Sequence, residues 1–459
     1  MTKIQNFFKN YNLENTRLEN FSIIYVCIVI LYLLIYNLWN YSIFYGYDAD
    51  AHIAYVDYIA MYLPSNFKLP LEEHTYEYFS PPLPYLFPAI VQVICRNFSN
   101  SVDLVKYCQP IYGKFTQIFQ TFLYVLSLFF YMKTLKIILN KKTIINFSFL
   151  ILISTMAVNY RTILMIRGEP YIIFFLSLLL YLFTKIYNKK FEIKVLNILS
   201  FSLIVGMLGI SRQWGLLLLP SFVIILYYFE PDLRKQYFKF MFIVFIVSMV
   251  IIMPFYINLF LTSGSVISFN KEPESFNLNN QPLTFYNPIN DDISKIFTKP
   301  IRGNLDNQLL PILYSDLWGD YWGYLAFTSN YLNQGRNQLK IGDYLARVNI
   351  ISLLPTFILV VGLIKIRSNQ KYNVLIKYIK YSILISFLGY LWFLIKYPEI
   401  PSGDTIKSSY IIQMFHLIAF ISSLYLEKIK EKSKTSFTFI IFCLLAVFTH
   451  NISSMMSHF

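Results

Sequence analysis

The chain has 459 residues, of which 56% are hydrophobic and only 14% are charged, and its mean hydropathy is positive. A soluble protein of this composition could not cover itself with polar surface, so the composition excludes a soluble globular protein and indicates that the chain lies in lipid. The formal net charge of +14 could indicate a nucleic-acid partner, but the Lys and Arg residues are clustered between apolar runs. We therefore expect no nucleic acid as a partner and a single polytopic membrane domain over residues 1–459.

Apolar runs recur along most of the chain and predict an all-α integral membrane protein with about eleven transmembrane helices. The first run is too long for the apolar part of a signal peptide and lacks a small-residue cleavage site, so we interpret it as the first span. The predicted spans are residues 22–45, 111–132, 144–159, 170–184, 195–210, 214–229, 238–262, 348–364, 379–397, 410–426 and 437–451.

The charges between the predicted spans are distributed unequally. When these segments are assigned alternately to two sides, one side has 23 basic and 7 acidic residues, and the other has 16 basic and 18 acidic residues. The positive-inside rule makes the first side cytoplasmic, together with the N-terminus. The surplus positive charge would contact anionic lipid headgroups. We expect the plasma (inner) membrane of a bacterium, or the endoplasmic reticulum membrane of a eukaryote.

Two long loops interrupt the pattern, and both lie on the predicted external side. The first, residues 46–110, contains an apolar stretch at 83–95 that suits an interfacial helix better than a span. The second, residues 263–347, ends in an aromatic run at 317–324. Because long loops in compact proteins are usually functional, we expect the active site on this side. Cys95 and Cys108 also lie there, either as a disulfide or as two free thiols.

The segment 46–52, directly after the first span, has the sequence Gly-Tyr-Asp-Ala-Asp-Ala-His. If a helix begins here, Asp48 and His52 are at positions i and i+4 on one face, and Asp50 points elsewhere. Asp48 could then be a partly desolvated carboxylate that His52 orients and that deprotonates an acceptor hydroxyl. The alternative is that the acids only mark a helix N-terminus at the membrane surface.

Further acids follow in the segment 72–85, which contains Glu77 and a double proline before the interfacial stretch. These acids could belong to a solvated loop. Asp48, His52, His74 and Glu77 could also bind a divalent metal ion, but their spacing matches no metal-binding signature. No cofactor is firmly implied.

The Asp-x-x-x-His pattern of Asp48 and His52, followed by Tyr-Glu…Pro-Pro-Leu-x-Tyr at 76–85, resembles the polytopic GT-C glycosyltransferases. The similarity is greatest to bacterial members related to the aminoarabinose–lipid A transferases and the protein O-mannosyltransferases. It covers residues 20 to about 425, but Ala49 replaces the usual second acid and Pro84 replaces a usual aromatic residue. Three later segments match family motifs: Arg167-Gly168-Glu169, Ser211-Arg212-Gln213-Trp214-Gly215, and 403–410 with Lys407 and Tyr410.

This resemblance implies a polyprenyl-phosphate sugar donor and a hydroxyl acceptor on a lipid-linked glycan, a membrane lipid or a protein. It implies that Asp48 is the catalytic base, although the missing second acid leaves Asp50 as an alternative. Arg167, Arg212 and Lys407 would hold the donor phosphate. The remaining candidate substrate-binding residues are His52, Glu77, Glu169, Tyr410, Trp318 and Asp320. Trp318 would belong to an aromatic platform for the sugar, and Asp320 would bond a sugar hydroxyl.

Each of these assignments has an alternative. The cationic side chains could extend to the lipid headgroups, and the aromatic run could form an interfacial belt. A transporter or flippase for lipid-linked saccharides would need ionisable groups within the spans, where the sequence has almost none. A glycan polymerase with external Arg-rich loops is a third possibility.

Overall fold

A computed structural model describes residues 17–99, 103–287, 293–326, 338–366 and 372–457. These ranges form helices joined by loops and contain no β-strand. The chain is therefore an all-α membrane protein, as its composition predicts.

Seventeen α-helices are described, some of them joined by short 3₁₀ segments. In chain order they are α1 (Arg17–Asn40), α2 (Ala49–Tyr62), α3 (Leu83–Phe98), α4 (Leu104–Leu139), α5 (Phe147–Ser154), α6 (Ala157–Thr162), α7 (Glu169–Asn188), α8 (Val195–Gly209), α9 (Pro220–Ile224), α10 (Pro231–Ser263), α11 (Leu283–Tyr286), α12 (Leu309–Trp318), α13 (Gln338–Ile351), α14 (Leu353–Lys365), α15 (Asn373–Lys396), α16 (Ile412–Lys432) and α17 (Lys434–Asn451).

Eight helical segments of the described residues are long and apolar enough to cross a membrane. They are Leu18–Asn40, Leu104–Leu139, Glu169–Asn188, Pro231–Ser263, Ile341–Lys365, Asn373–Lys396, Ser408–Lys432 and Lys434–Met455.

The predicted number of eleven spans is not confirmed. The other three predicted spans, 144–159, 195–210 and 214–229, correspond to shorter elements. The first is divided between α5 and α6, the second is the 15-residue α8, and the third alternates between 3₁₀ and α-helix. A helix of this length extends only about 22 Å, less than the roughly 30 Å of a hydrocarbon core.

The chain divides into two compact units. Unit one comprises Met1–Trp39, Leu128–Arg161 and Asn277–Phe459, and unit two comprises Asn40–Ser127 and Thr162–Phe276. In unit one, α16 is almost entirely buried and packs against α5, α14, α15 and α17. A helix that is covered on all sides forms the centre of its bundle.

In unit two, α10 packs along α8, α8 packs against α7, and α2 packs against α3. A disulfide between Cys95 and Cys108 joins α3 to the first turns of α4, so these cysteines are not free thiols. The N-terminus of α2, the loop after it and the turns before α7 and after α8 contain most of the residues that the sequence analysis singled out.

Candidate functional site

Helix α2 begins at Ala49, and Asp48 is its N-cap residue. The Asp48 backbone is left-handed, with φ of 51°, and its carbonyl oxygen accepts hydrogen bonds from the amides of Ala51 and His52 at 3.0 and 3.1 Å. Asp48 and Asp50 are both exposed. The segment is therefore a helix N-terminus, as one of the two sequence interpretations expects, and the catalytic role of Asp48 stays a prediction.

His52 lies one turn into α2 and is buried. Its Nδ1 is 2.8 Å from the Tyr85 hydroxyl, and its Nε2 is 3.8 Å from Glu77 Oε1. The sequence analysis paired this ring with Asp48, but both ring nitrogens are directed at other residues. Burial lowers the pKa of His52 to about 4, so the ring is neutral near pH 7. A proton on Nε2 would face the Glu77 carboxylate. Nδ1 would then accept a hydrogen bond from the Tyr85 hydroxyl.

Glu77 is buried in the last part of the loop between α2 and α3. The Thr75 hydroxyl donates to the Ala51 carbonyl at 2.6 Å and fixes this loop on α2. The Ser80 hydroxyl and an Arg212 amino group, the latter at 2.8 Å, donate to Glu77 Oε2. Burial alone would raise the pKa of Glu77, but the Arg212 charge and these hydrogen bonds outweigh it and lower the pKa to about 2. Glu77 is therefore a carboxylate.

Glu169 lies between two of the arginines of unit two, Arg167 and Arg212. Its Oε1 lies 3.7 Å from Arg212 Nε, and its Oε2 lies 3.3 Å from Arg167 Nε. Neither oxygen accepts a hydrogen bond within the described residues. The Arg167 guanidinium also lies over the Tyr47 ring, 5.2 Å from its centroid. Glu77, Arg212, Glu169 and Arg167 thus form a buried chain of alternating charge.

A glycine makes this chain of charges possible. The turn that contains Arg167 crosses the turn that contains Ser211 and Arg212, and a Cβ atom at Gly168 would lie 2.1 Å from the Ser211 carbonyl oxygen. Only a residue without a side chain allows the two backbones to approach so closely. The motifs Arg167-Gly168-Glu169 and Ser211-Arg212 are therefore two parts of one local structure.

The arginines are 1% and 5% exposed, for Arg167 and Arg212 respectively. Side chains that extend to the lipid headgroups would be exposed at their tips, so this alternative from the sequence is wrong for both residues. The space beside His52, next to Gly46 and Tyr47, is about 10 Å³, which is room for about one water molecule. Of the charged cluster, only His52 lines this space.

In unit one, Asp320 and Trp318 are fully buried. The Asp320 carboxylate accepts from Arg161 at 3.0 Å and from the backbone amides of Tyr324, Leu325 and Ala326 at 2.7 to 3.1 Å. With its oxygens occupied in this way, Asp320 organises the loop that follows it. The aromatic residue Trp318 belongs to the interior, so it forms neither an interfacial belt nor an exposed sugar platform in this structure.

Lys407 and Tyr410 lie together in unit one. Lys407 Nζ is 3.4 Å from the Tyr410 hydroxyl, and the Tyr390 hydroxyl accepts from the Lys407 amide at 2.7 Å. Lys407 belongs to unit one, whereas Arg167 and Arg212 belong to unit two. The predicted phosphate clamp of three cations therefore stays a prediction.

Arg161, Asp316 and Ser80 were not among the residues predicted from the sequence, and Tyr85 was noted only as the end of a family motif. Arg161 donates to both Asp316 and Asp320, and the Asp316 carboxylate also accepts from the Ser408 amide at 2.8 Å. The only signal for Arg161 in the sequence is a single arginine directly after an apolar run. Within the described ranges, no three His, Cys, Asp or Glu residues are close enough together to hold a metal ion.

Comparison of the chain with protein-family models, with curated proteins and with solved structures finds no match. The functional argument therefore depends on the residues and geometry described above.

Proposed function

We propose that this protein is a GT-C-type membrane glycosyltransferase that moves a sugar from a polyprenyl-phosphate donor to a hydroxyl group of a lipid-linked glycan, a lipid or a protein. One observation carries the proposal. His52, Glu77, Arg167, Glu169 and Arg212, which the resemblance selects from separate parts of the sequence, form one buried charged cluster in unit two. Buried groups with perturbed pKa values are concentrated at functional sites.

In the proposed reaction, the acceptor oxygen attacks the anomeric carbon while the bond from that carbon to the donor phosphate breaks. Asp48, exposed at the start of α2, would take the proton of the acceptor hydroxyl. The leaving phosphate would gain negative charge, which Arg167 and Arg212 could stabilise. To reach the arginines, the phosphate would take the place of Glu169. Glu169 is the carboxylate of the cluster that is held only by ion pairs of 3.3 and 3.7 Å.

The choice of base can be tested with two carboxamide substitutions. A carboxamide keeps the shape of the carboxylate but cannot accept the proton, so Asp48→Asn should lower transfer by about 10²- to 10⁴-fold. Asp50→Asn is the matched control, two residues away and also exposed, and it should keep measurable activity. Transfer would be measured by mass spectrometry in two ways. The first is the release of polyprenyl phosphate by the purified variants, and the second is the surface glycans of complemented deletion strains. An active Asp48→Asn enzyme would remove Asp48 as the base.

The proposal includes an orientation, with a cytoplasmic N-terminus and with loops 46–110 and 263–347 on the external side. It requires that the shorter segments 144–159, 195–210 and 214–229 also cross the membrane, so that an even number of crossings separates the two loops. The charge asymmetry counted with these crossings and the Cys95–Cys108 disulfide support it, because disulfides form in oxidising compartments. A reporter fused after Ser275 should be external and one fused after Ser433 cytoplasmic. If both reporters are found on one side, the orientation is wrong.

A transporter or flippase for lipid-linked saccharides is the second candidate, and polar side chains within the membrane helix α16 favour it. His416 Nε2 is 2.8 Å from Asn159 Oδ1, and Gln413 is buried with no hydrogen-bond partner for its amide among the described residues. Polar groups at such positions often line transport pathways. Proteoliposomes that contain a fluorescent lipid-linked saccharide would test this candidate. A transporter would move the labelled lipid between the leaflets, and the Gln413→Leu variant would lose this activity. A transferase would instead consume the labelled lipid.

A further inference from the structure

Two adjoining clefts lie along α10 in unit two, and no residue of the charged cluster lines them. The first has a volume of about 610 Å³ and is lined mainly by apolar side chains, among them Leu69, Ile251 and Phe255. The second has a volume of about 560 Å³ and is lined by Glu72, Glu73, Tyr78, Thr262 and Ser263 together with Leu71. Leu71 lines both clefts. Clefts of this size accommodate small-molecule ligands.

The polarity of the two clefts changes in one direction along the helix. The α10 residues of the apolar cleft are Ile251, Pro254, Phe255 and Asn258, and those of the polar cleft are Thr262 and Ser263, where α10 ends. From Ile251 to Ser263 this is roughly 18 Å at about 1.5 Å per residue. The polar cleft thus lies at the end of an apolar membrane helix, where lipid headgroups are found. An amphiphile would match this order, with its chain beside 251–258 and its headgroup beside 262–263.

The charges of the clefts indicate the headgroup. Lys68 lines the apolar cleft, and Glu72 and Glu73 line the polar cleft; all three are exposed. A phosphate next to the chains would face Lys68, and a cationic group further out would face the two carboxylates. A primary ammonium can donate hydrogen bonds to these carboxylates and to the hydroxyls of Tyr78 and Ser263, whereas a quaternary ammonium cannot. An anionic headgroup would be repelled by Glu72 and Glu73.

We propose that the two clefts form one binding groove for a zwitterionic phospholipid that has a primary amine in its headgroup. The chain would lie in the apolar cleft, the phosphate at Lys68 and the ammonium group at Glu72 and Glu73. None of His52, Glu77, Arg167, Glu169 and Arg212 lines the groove, so this inference does not depend on the proposed function.

The test measures which lipid remains bound to the purified full-length protein. The protein is equilibrated in detergent with equal amounts of phosphatidylethanolamine, phosphatidylcholine and phosphatidylglycerol, and bound lipid is counted by native mass spectrometry. Phosphatidylethanolamine should be retained preferentially. The double substitution Glu72→Gln and Glu73→Gln should lower this preference about three- to ten-fold, since it removes hydrogen bonds to charged acceptors. Glu272→Gln with Glu274→Gln, two exposed acids outside the groove, is the matched control and should change nothing.

A second pair of variants tests the chain-binding part. Asn258→Trp would fill the apolar cleft and should lower the retention of all three lipids. Met253→Trp adds the same volume at an exposed position of α10 that does not line the groove, and it should leave retention unchanged. The proposal is overturned if the unaltered protein retains phosphatidylglycerol as well as phosphatidylethanolamine, or if the Glu72/Glu73 variant keeps the full preference. Normal retention in Asn258→Trp would also overturn it.

Discussion

Each unit contains a buried network of arginine and carboxylates, and the two networks differ in how fully their oxygens are hydrogen-bonded. In unit one, Arg161 binds Asp316 and Asp320, and the backbone amides of four other residues donate to these two carboxylates. In unit two, Glu169 faces Arg167 and Arg212 only through ion pairs of 3.3 and 3.7 Å. Its oxygens accept no hydrogen bond from the residues that the structure describes.

This difference separates a network that only stabilises the fold from one in which a ligand anion could replace a carboxylate beside the arginines. A buried carboxylate that accepts several backbone hydrogen bonds cannot move without leaving those amides unsatisfied, at a cost of about 1–3 kcal/mol each. Glu169 would leave no amide unsatisfied if an anion took its place between the arginines. We therefore infer that the network of unit one fixes the loop after α12, whereas that of unit two is suited to bind a ligand phosphate.

The largest expected effect is on stability and concerns the Arg161 network. Arg161→Met would leave two buried carboxylates without their cation, and this should lower the free energy of unfolding by about 3–5 kcal/mol. The control is Arg302→Gln, which breaks the pair with Asp404, where both side chains are 39% exposed. An exposed pair contributes only about 0–1 kcal/mol. Unfolding of the purified variants in detergent would measure both, and equal losses would contradict the architectural role of Arg161.

The next effect separates stability from activity in unit two. Arg212→Gln alone should destabilise the protein, because it leaves the buried Glu77 carboxylate uncompensated. Adding Glu77→Gln removes that charge and should recover stability by about 1–3 kcal/mol. Transfer should nevertheless stay about 10²-fold below that of the unaltered enzyme, since the arginine that faces the developing charge is still missing.

A double-mutant cycle with unfolding and transfer assays on all four proteins would measure the two quantities side by side. Recovery of transfer together with stability would mean that the network of unit two is architectural as well.

The sequence predicted the membrane helices well where apolar runs are long and uninterrupted, as in α10. Its number of spans is not confirmed where the runs are short. The hydropathy of the sequence does not predict the break between α5 and α6, and it does not predict the 3₁₀ segments on either side of α9. Both breaks depend on packing within the units and on local backbone geometry.

The candidate site was predicted only in part. Arg167, Glu169 and Arg212 were selected as motif residues at the ends of predicted spans, and they do lie together. Their partner Glu77 is 135 residues from Arg212, and no spacing rule in the sequence connects them. Asp320 was interpreted from its aromatic neighbours as a sugar ligand, because its partner Arg161 lies 159 residues away.

The relation between Asp48 and His52 shows a different limit of sequence reasoning. The i, i+4 spacing assumes that both residues are helical, whereas Asp48 is the left-handed N-cap and only His52 lies within the helix. One residue at the helix boundary therefore changed the predicted orientation of the candidate base. The partner of His52 is instead Tyr85, which the sequence marked only as the end of a family motif.

The smallest expected effect, roughly a few degrees in the unfolding temperature, is a pH dependence that distinguishes the two networks, since only that of unit two contains a histidine. Burial lowers the pKa of His52 from 6.5 to about 4, so between these values the unfolded chain binds more protons than the folded protein. The contribution of His52 to stability is thus complete above pH 6.5 and is lost as the pH falls toward 4.

Glu77, with its pKa lowered from 4.5 to about 2, changes stability only below pH 4.5, so His52 can be tested separately above that pH. His52→Gln keeps a polar partner for Tyr85 but does not titrate, so it should reduce the pH dependence of the unfolding temperature between pH 6.5 and 4.5. His74→Gln, at an exposed position, should keep the slope of the unaltered protein. An unchanged slope in His52→Gln would mean that His52 is not the titrating group and that the network of unit two responds to protons as little as that of Arg161.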